Sequence, residues 1–184
     1  MSSGAGSPPA AGVAASSTST LLPSQWHVFL SHAQSTGGDQ CRMLHDRLTA
    51  GGLRVWYDNS AAVVTEAGML AGVRGSAVFL LFLSAGVFTR PFVRLEIEEA
   101  LRIGKPICCV HETDERHGKF DFGAEATATG VPDSWHEVST LLLQACESLP
   151  FRRKEYELEA LLRQIEHRLA NSATLVVAVP ASVR

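Results

Sequence analysis

Between residues 25 and 170 short apolar runs alternate with longer amphipathic stretches. His27-Val28-Phe29-Leu30-Ser31 reads as a first strand, ended by polar residues and Gly37-Gly38. Asp39 has the side chain of an N-cap, which predicts a helix from there to about Ala50, with Cys41, Met43, Leu44 and Leu48 on its apolar face. Gly51-Gly52 stops it, Leu53–Tyr57 predicts a second strand, and a loop opening at Asp58 leads to a short helix near Thr65–Val73. Ala77–Leu83 is apolar on both faces, as a central parallel strand requires. Pro91, a residue favoured at the first helical position, starts a helix that runs to about Ile103 and closes at Gly104. Ile107–Val110 predicts a fourth strand, followed by a polar loop from His111 to about Pro132 and a helix near Trp135–Glu147. Phe151 marks a short fifth strand, and Glu155–Ala170 is a final helix with Leu158, Leu161, Leu162, Ile165 and Leu169 on one side.

This alternation predicts an α/β fold: a flavodoxin-like, doubly wound parallel five-stranded sheet with helices on both faces. Ligands of such sheets bind beyond the carboxyl ends of the strands, where the strand order reverses. That rule selects Ser31–Gly38, after the first strand, and Ser84–Pro91, after the third.

Outside this region the pattern fails. Residues 1–24 are mainly Ser, Ala, Gly, Pro and Thr, too poor in large apolar side chains to offset the entropy of ordering, so they are expected to be a disordered tail. Residues 171–184 form a C-terminal tail whose apolar patch, Leu175–Val179, reads either as a stray strand or as the cut end of a longer chain.

Composition narrows the function classes. Of the 184 residues 46% are hydrophobic, enough for a core, and the formal charge of −3 argues against a chain built to coat nucleic acid. Cys41, Cys108, Cys109 and Cys146 lack metal-ligand spacing, and Cys108 and Cys109, neighbours inside an apolar run, read as small buried hydrophobes in a reducing compartment. No apolar run approaches the roughly 18 residues of a membrane span, and the start lacks a secretory pattern, so the expected location is the cytoplasm.

The crevice excludes several chemistries. Ser84 follows Leu83 where a phosphoacceptor aspartate of a receiver domain would stand, and there is neither a phosphate-cradling P-loop nor a dinucleotide-binding glycine fingerprint. What remains is the helix after the third strand. Phe92 and Glu96 are i and i+4 on one face, while Val93, Ile97, Ala100 and Leu101 form the face that packs on the sheet. A carboxylate beside an aromatic plane suits a planar heterocycle or sugar and stabilises an oxocarbenium centre. The plainer alternative is a solvated glutamate beside Glu98 and Glu99. His111–Phe122, with two histidines and several acids, reads as a solvated, salt-bridged loop rather than a metal site; no metal is expected.

At these residues the chain resembles a TIR (Toll/interleukin-1 receptor) domain, over about Trp26 to Ala170. Val28-Phe29-Leu30-Ser31-His32 is similar to the family's first box. Gly52–Asp58 is similar to the second strand and the acidic residue opening the BB loop, and Leu83-Ser84 to the end of the third strand. Phe92-Val93-Arg94-Leu95-Glu96-Ile97 resembles the Trp-x-x-x-Glu-(Leu/Ile) pattern of NAD-cleaving members. Three departures stand out. Ala33-Gln34 replaces the basic residues that often follow the first box, Phe92 replaces Trp, and Asn59–Val64 lacks the Arg-Asp-x-x-Pro-Gly signature of receptor adaptors.

The resemblance implies an NAD+ nucleosidase, a glycohydrolase or cyclase that cleaves the nicotinamide–ribose bond in a signalling or defence role. It assigns Glu96 as the catalytic carboxylate, with Phe92, Ser31, His32, Gln34, Asp58 and Ser84 contacting substrate; ordinary turn hydrogen bonding is the alternative for the polar residues of the crevice loops. NAD+ is the substrate, with no cofactor. Partners are copies of the chain or other TIR domains, engaged through the BB loop at about Asp58–Val64; neither nucleic acid nor membrane is expected. The alternative is a non-catalytic TIR adaptor module.

Overall fold

The computed structural model describes residues 24–57 and 65–171, with residues 1 and 177 besides. The loop Asp58–Val64, with its candidate Asp58, and nearly all of both tails lie outside the described residues. Five parallel strands, β1 (Trp26–Ser31), β2 (Val55–Trp56), β3 (Ser76–Leu83), β4 (Ile107–Glu112) and β5 (Ser148–Phe151), form one sheet in the order β2-β1-β3-β4-β5. Helices α1 (Gln34–Ala50), α2 (Glu66–Gly75), α3 (Pro91–Arg102), α4 (Asp133–Ala145) and α5 (Glu155–Ala170) connect and cover them. The flavodoxin-like arrangement is the expected one, and the order reverses between β1 and β3.

Successive strand residues point to opposite faces, so each central strand feeds two cores. Phe29, Phe79, Leu81 and Cys109 pack with Val73 of α2, Ile97 of α3 and Leu142 of α4. Val28, Leu30, Leu80, Phe82 and Val110 pack with Leu44 of α1 and Leu161 of α5. Burial on both sides is why β1, β3 and β4 read as unbroken apolar runs rather than alternating ones. Trp56 of β2 stacks on Phe29, with ring centroids 4.3 Å apart, and lies so close to α2 that a Cβ at Gly72 would stand 2.6 Å from its indole. Val177 is buried in the core shared with α2, α3 and α4.

Two expectations need correction. Helix α1 starts at Gln34, not after Asp39, with Ala33 as a cap that contributes no side-chain bond. Gly37 therefore sits inside the helix. A Cβ there would meet Phe82 Cδ1 at 3.0 Å and Ser84 Oγ at 3.3 Å, so its role is close approach to β3 rather than helix termination. Likewise β4 runs on through His111 and Glu112, because β5 pairs with both: His111 faces Pro150 and Glu112 faces Phe151. Glu112 is fully buried, and Phe120 nearly so, which a solvated loop would not allow. The ion pairs Arg116–Asp114 and Lys119–Glu115 are present beyond the strand.

Candidate active site

The carboxyl ends of β1 and β3 deliver the candidate residues to one place. On α3 the apolar face Val93, Ile97, Ala100 and Leu101 is buried against the sheet, which fixes the helix's rotation. Glu96 immediately precedes Ile97 and is drawn inward with it, to 6% exposure. There Ser31 Oγ, at the last residue of β1, donates to Glu96 Oε2 at 2.6 Å, the short distance of a hydroxyl–carboxylate bond. The alternative of a solvated glutamate does not describe this side chain. Nor does it describe Glu99, which is buried between Arg74 and Arg102; bonding to Arg102 above all, with Arg74 adding to it, overcomes burial and holds its pKa at about 2. Glu98, on the exposed side, accepts from the Trp135 indole N–H.

His32 follows Ser31 and is likewise buried. Its Nε2 lies 2.9 Å from Gln34 Oε1, and its ring is 5.3 Å from that of Tyr57, whose hydroxyl donates to the Gly38 carbonyl. Ser31, His32 and Gln34 are thus brought to the same end of the sheet as Glu96. Phe92, one turn ahead of Glu96 on α3, is 59% exposed and presents its ring to solvent at the helix start.

Ser84 is placed differently from the crevice-lining position expected for it. It is fully buried, 2.9 Å from Thr36 Oγ1, and Thr36 Oγ1 also lies 3.0 Å from the Ala85 carbonyl oxygen. A carbonyl only accepts, so the single Thr36 proton goes to Ala85 and the Ser84 hydroxyl donates to Thr36. Ser84 therefore fixes the first turn of α1 and has no surface for a ligand.

The connection from β3 to α3 is fastened on further sides. Ala85 N–H donates to the Gly118 carbonyl and Gly86 N–H to Glu125 Oε2, each at 2.9 Å. Gly86 has φ +71°, a left-handed conformation that favours glycine. Burial raises the Glu125 pKa, the Gly86 N–H opposing that rise. At the start of α3 Arg90 Nη2 donates to Ser35 Oγ at 2.8 Å, and Arg94 Nη1 to the Phe88 carbonyl at 2.8 Å. Sequence reasoning passed over Thr36, Arg90 and Glu125. Each acts through a partner far along the chain, and no local spacing announces it.

A second buried acid lies across the sheet end. Glu112 accepts from both Nη atoms of Arg153, from Gln40 Nε2 and from the N–H groups of Thr113 and Asp114. Burial alone would raise its pKa, but these donors together lower it. Beside them a hollow of about 310 Å³ opens along the first turns of α1, lined by Gln34, Thr36, Gln40, Arg116 and His117 among others; Glu96 is not part of its wall. Among the described residues no group of three His, Cys, Asp or Glu side chains is placed to hold a metal ion, and no helix is long and apolar enough to cross a membrane.

Comparison with known proteins bears on this arrangement. The TIR domain family model matches residues 28–126. Among solved structures, the TIR domains of the activated Roq1 resistosome, which directly recognises the pathogen effector XopQ, share the fold. The TM-score is 0.58 at 15% identity, covering 78% of this chain and 99% of that one. A metazoan TIR-STING receptor from C. gigas in complex with 2′,3′-cGAMP aligns with a TM-score of 0.51 at 13% identity, covering 76% of this chain. This chain matches only 40% of that receptor's length. Among curated proteins no sequence match is found. The family match runs from β1 to the turn that carries Glu125, more than half of the chain, and includes both Ser31 and Glu96; the chain belongs to the TIR domain family.

Proposed function

We propose that this chain is an NAD+ nucleosidase that cleaves the nicotinamide–ribose bond. The observation that carries the reading is the burial of Glu96 at the strand-order reversal, with Ser31 Oγ bonded to its Oε2. Nicotinamide leaves from a cationic pyridinium: the C–N bond breaks, its electron pair stays with the ring nitrogen, and the base departs neutral. Such a leaving group needs no general acid, unlike the alkoxide that makes ordinary glycosidases use two carboxylates. One carboxylate is sufficient. Glu96 binds the ribose hydroxyls or stabilises the oxocarbenium charge, and its exclusion from water strengthens either effect. Water then adds to the ribose carbon, or an adenine nitrogen closes a cyclic product.

In this reading Phe92 stacks on a ring of the dinucleotide, while His32, Gln34 and Asp58 contact it. Ser31 orients the acid, and Ser84 acts at one remove by fixing α1. Copies of the chain, or other TIR domains, associate through Asp58–Val64, and the setting is cytoplasmic signalling or defence. The test is incubation of concentrated protein with NAD+ and chromatography for nicotinamide, alongside Glu96→Ala. Nicotinamide is expected from the unmodified chain alone; equal release by the variant would remove Glu96 from its role.

A non-catalytic interaction module is the second reading, favoured by Ala33-Gln34 in place of the basic residues that often follow the first box. Absence of nicotinamide release even when the domain is forced to cluster would establish it over the first.

A further inference from the structure

Two hydrogen bonds join the segment leaving β1 to the segment that starts and forms α3. The inner one is Ser31 to Glu96, and both residues are buried. The outer one is Arg90 to Ser35, and both residues are exposed. Arg90 is the N-cap of α3, and at the rise of an α-helix it stands ~9 Å along the axis from Glu96. Ser35 lies in the first turn of α1. Along one seam, an acid therefore lies deep and a cation lies at the mouth.

Among the described residues no acid neutralises this cation. The first turns of α1 and α3 carry no acidic residue, and among the described residues Arg90 enters no ion pair. Ser31–Gly38, the wall opposite α3, contains neither Lys nor Arg; Arg116 lies in the neighbouring hollow along α1, where it is paired with Asp114, so the cation of the seam itself is the one on α3. A guanidinium carries five N–H donors in a planar fork, and Ser35 takes one, which leaves enough for a bidentate contact with phosphate oxygens.

We infer that Arg90 holds the diphosphate of the dinucleotide while Glu96 addresses its nicotinamide ribose. The inference rests on the NAD+ reading above and adds a direction to it. The 5′-oxygen of the nicotinamide ribose is esterified to the diphosphate, so the reacting sugar and the anionic bridge follow one another along the substrate. The buried carboxylate and the exposed guanidinium follow one another in the same order along the seam. Dinucleotide enters ribose first, and its diphosphate stays at the rim, where water competes and an arginine fork is needed to outmatch it.

The experiment compares NAD+ with nicotinamide riboside, which has the same scissile bond and no phosphate, in the full chain and in Arg90→Gln, Arg90→Lys and Ser35→Ala. Arg90→Gln is expected to lower kcat/KM for NAD+ roughly 10- to 100-fold, mainly through KM, the scale of a lost charge-assisted contact. It is expected to leave the riboside unchanged; Arg90→Lys recovers part of the loss, and Ser35→Ala, which keeps the charge, stays near the unmodified chain. A parallel loss on both substrates, or a Ser35→Ala variant that reproduces Arg90→Gln, would make Arg90 a structural strap and overturn the inference while leaving NAD+ cleavage intact. If the unmodified chain cleaves neither substrate, the cleavage reading is the one that fails, and calorimetric titration with ADP-ribose decides about Arg90. Binding weakened by Arg90→Gln but not by Ser35→Ala upholds the diphosphate grip; equal binding, or none, overturns it.

Discussion

Ser31 and Glu96, 65 residues apart in sequence, meet at 2.6 Å and tie the end of the first strand to the middle of the third helix. The bond does two things at once. It satisfies one oxygen of a carboxylate withdrawn from water, and it sets which way that carboxylate faces.

Ser31→Ala removes the hydroxyl and leaves the acid less satisfied. Hydrogen bonds to charged groups contribute roughly 1.5–3 kcal/mol, so urea unfolding is expected to show a loss of that size with an unchanged m-value. A loss within the error of the measurement would mean that solvent or another donor replaces the serine without cost.

Gly37→Ala places a methyl group 3.0 Å from Phe82 and 3.3 Å from Ser84. Alanine is favoured over glycine in a helix by roughly 1 kcal/mol, but overpacking costs typically 1–3 kcal/mol, so a net loss of stability is expected. Gly38→Ala is the control. Its Cβ would meet only the flexible end of Gln34, at 3.1 Å, and the helix preference should prevail. The pair is measured by thermal melts, with opposite signs expected.

Arg153→Ala removes the cationic partner of the fully buried Glu112 carboxylate and leaves it only the neutral donors of Gln40, Thr113 and Asp114. Removing one partner of a buried pair costs about 3–5 kcal/mol, whereas replacing both by apolar groups is often far less harmful. The double variant Glu112→Leu, Arg153→Met is therefore expected to be more stable than Arg153→Ala alone. Denaturant midpoints compare them directly.

Acid stability should depend on Glu99. Its folded pKa of about 2 lies below the ordinary glutamate value of 4.5, so its contribution is complete above roughly pH 4.5 and is lost as pH falls toward 2. Glu99→Gln is expected to flatten the pH dependence of stability across that window and to lower stability at neutral pH. Glu125 works in the opposite sense. Burial raises its folded pKa, so its ionisation opposes folding as pH rises, and Glu125→Gln, whose amide oxygen still accepts from Gly86, is expected to keep or increase stability at neutral pH.

Much of this architecture was legible in the chain. The bounds Glu155–Ala170 are legible to the residue, since the apolar positions recur at helical spacing and nothing interrupts them. The core of β3 was equally plain, because a strand buried on both faces has no polar residue to blur it. The start of α1 was not legible. Gly37-Gly38 has the local chemistry of a turn, and only the nearness of Phe82 explains a glycine inside a helix. The end of β4 was hidden by the same kind of distant cause, an arginine 41 residues on that makes a buried Glu112 tolerable. At the site, helical spacing singles out Glu96 beside Phe92 but leaves a solvated glutamate open; its assignment as the catalytic carboxylate is what the TIR resemblance implies. The roles of Arg90 and Ser84 were not legible, since they depend on Ser35 and Thr36 across the crevice.

The connection between β3 and α3 is held by Thr36, Gly118 and Glu125, residues from three other parts of the chain. A segment fastened at so many points offers no hinge. A ligand that reaches Glu96 meets a wall already set in place, and the entropy of arranging it was surrendered during folding rather than at the moment of binding. Whatever motion admits a ligand has to arise elsewhere on the rim, so affinity here should respond more to changes in the facing segments than to stiffening the approach to α3.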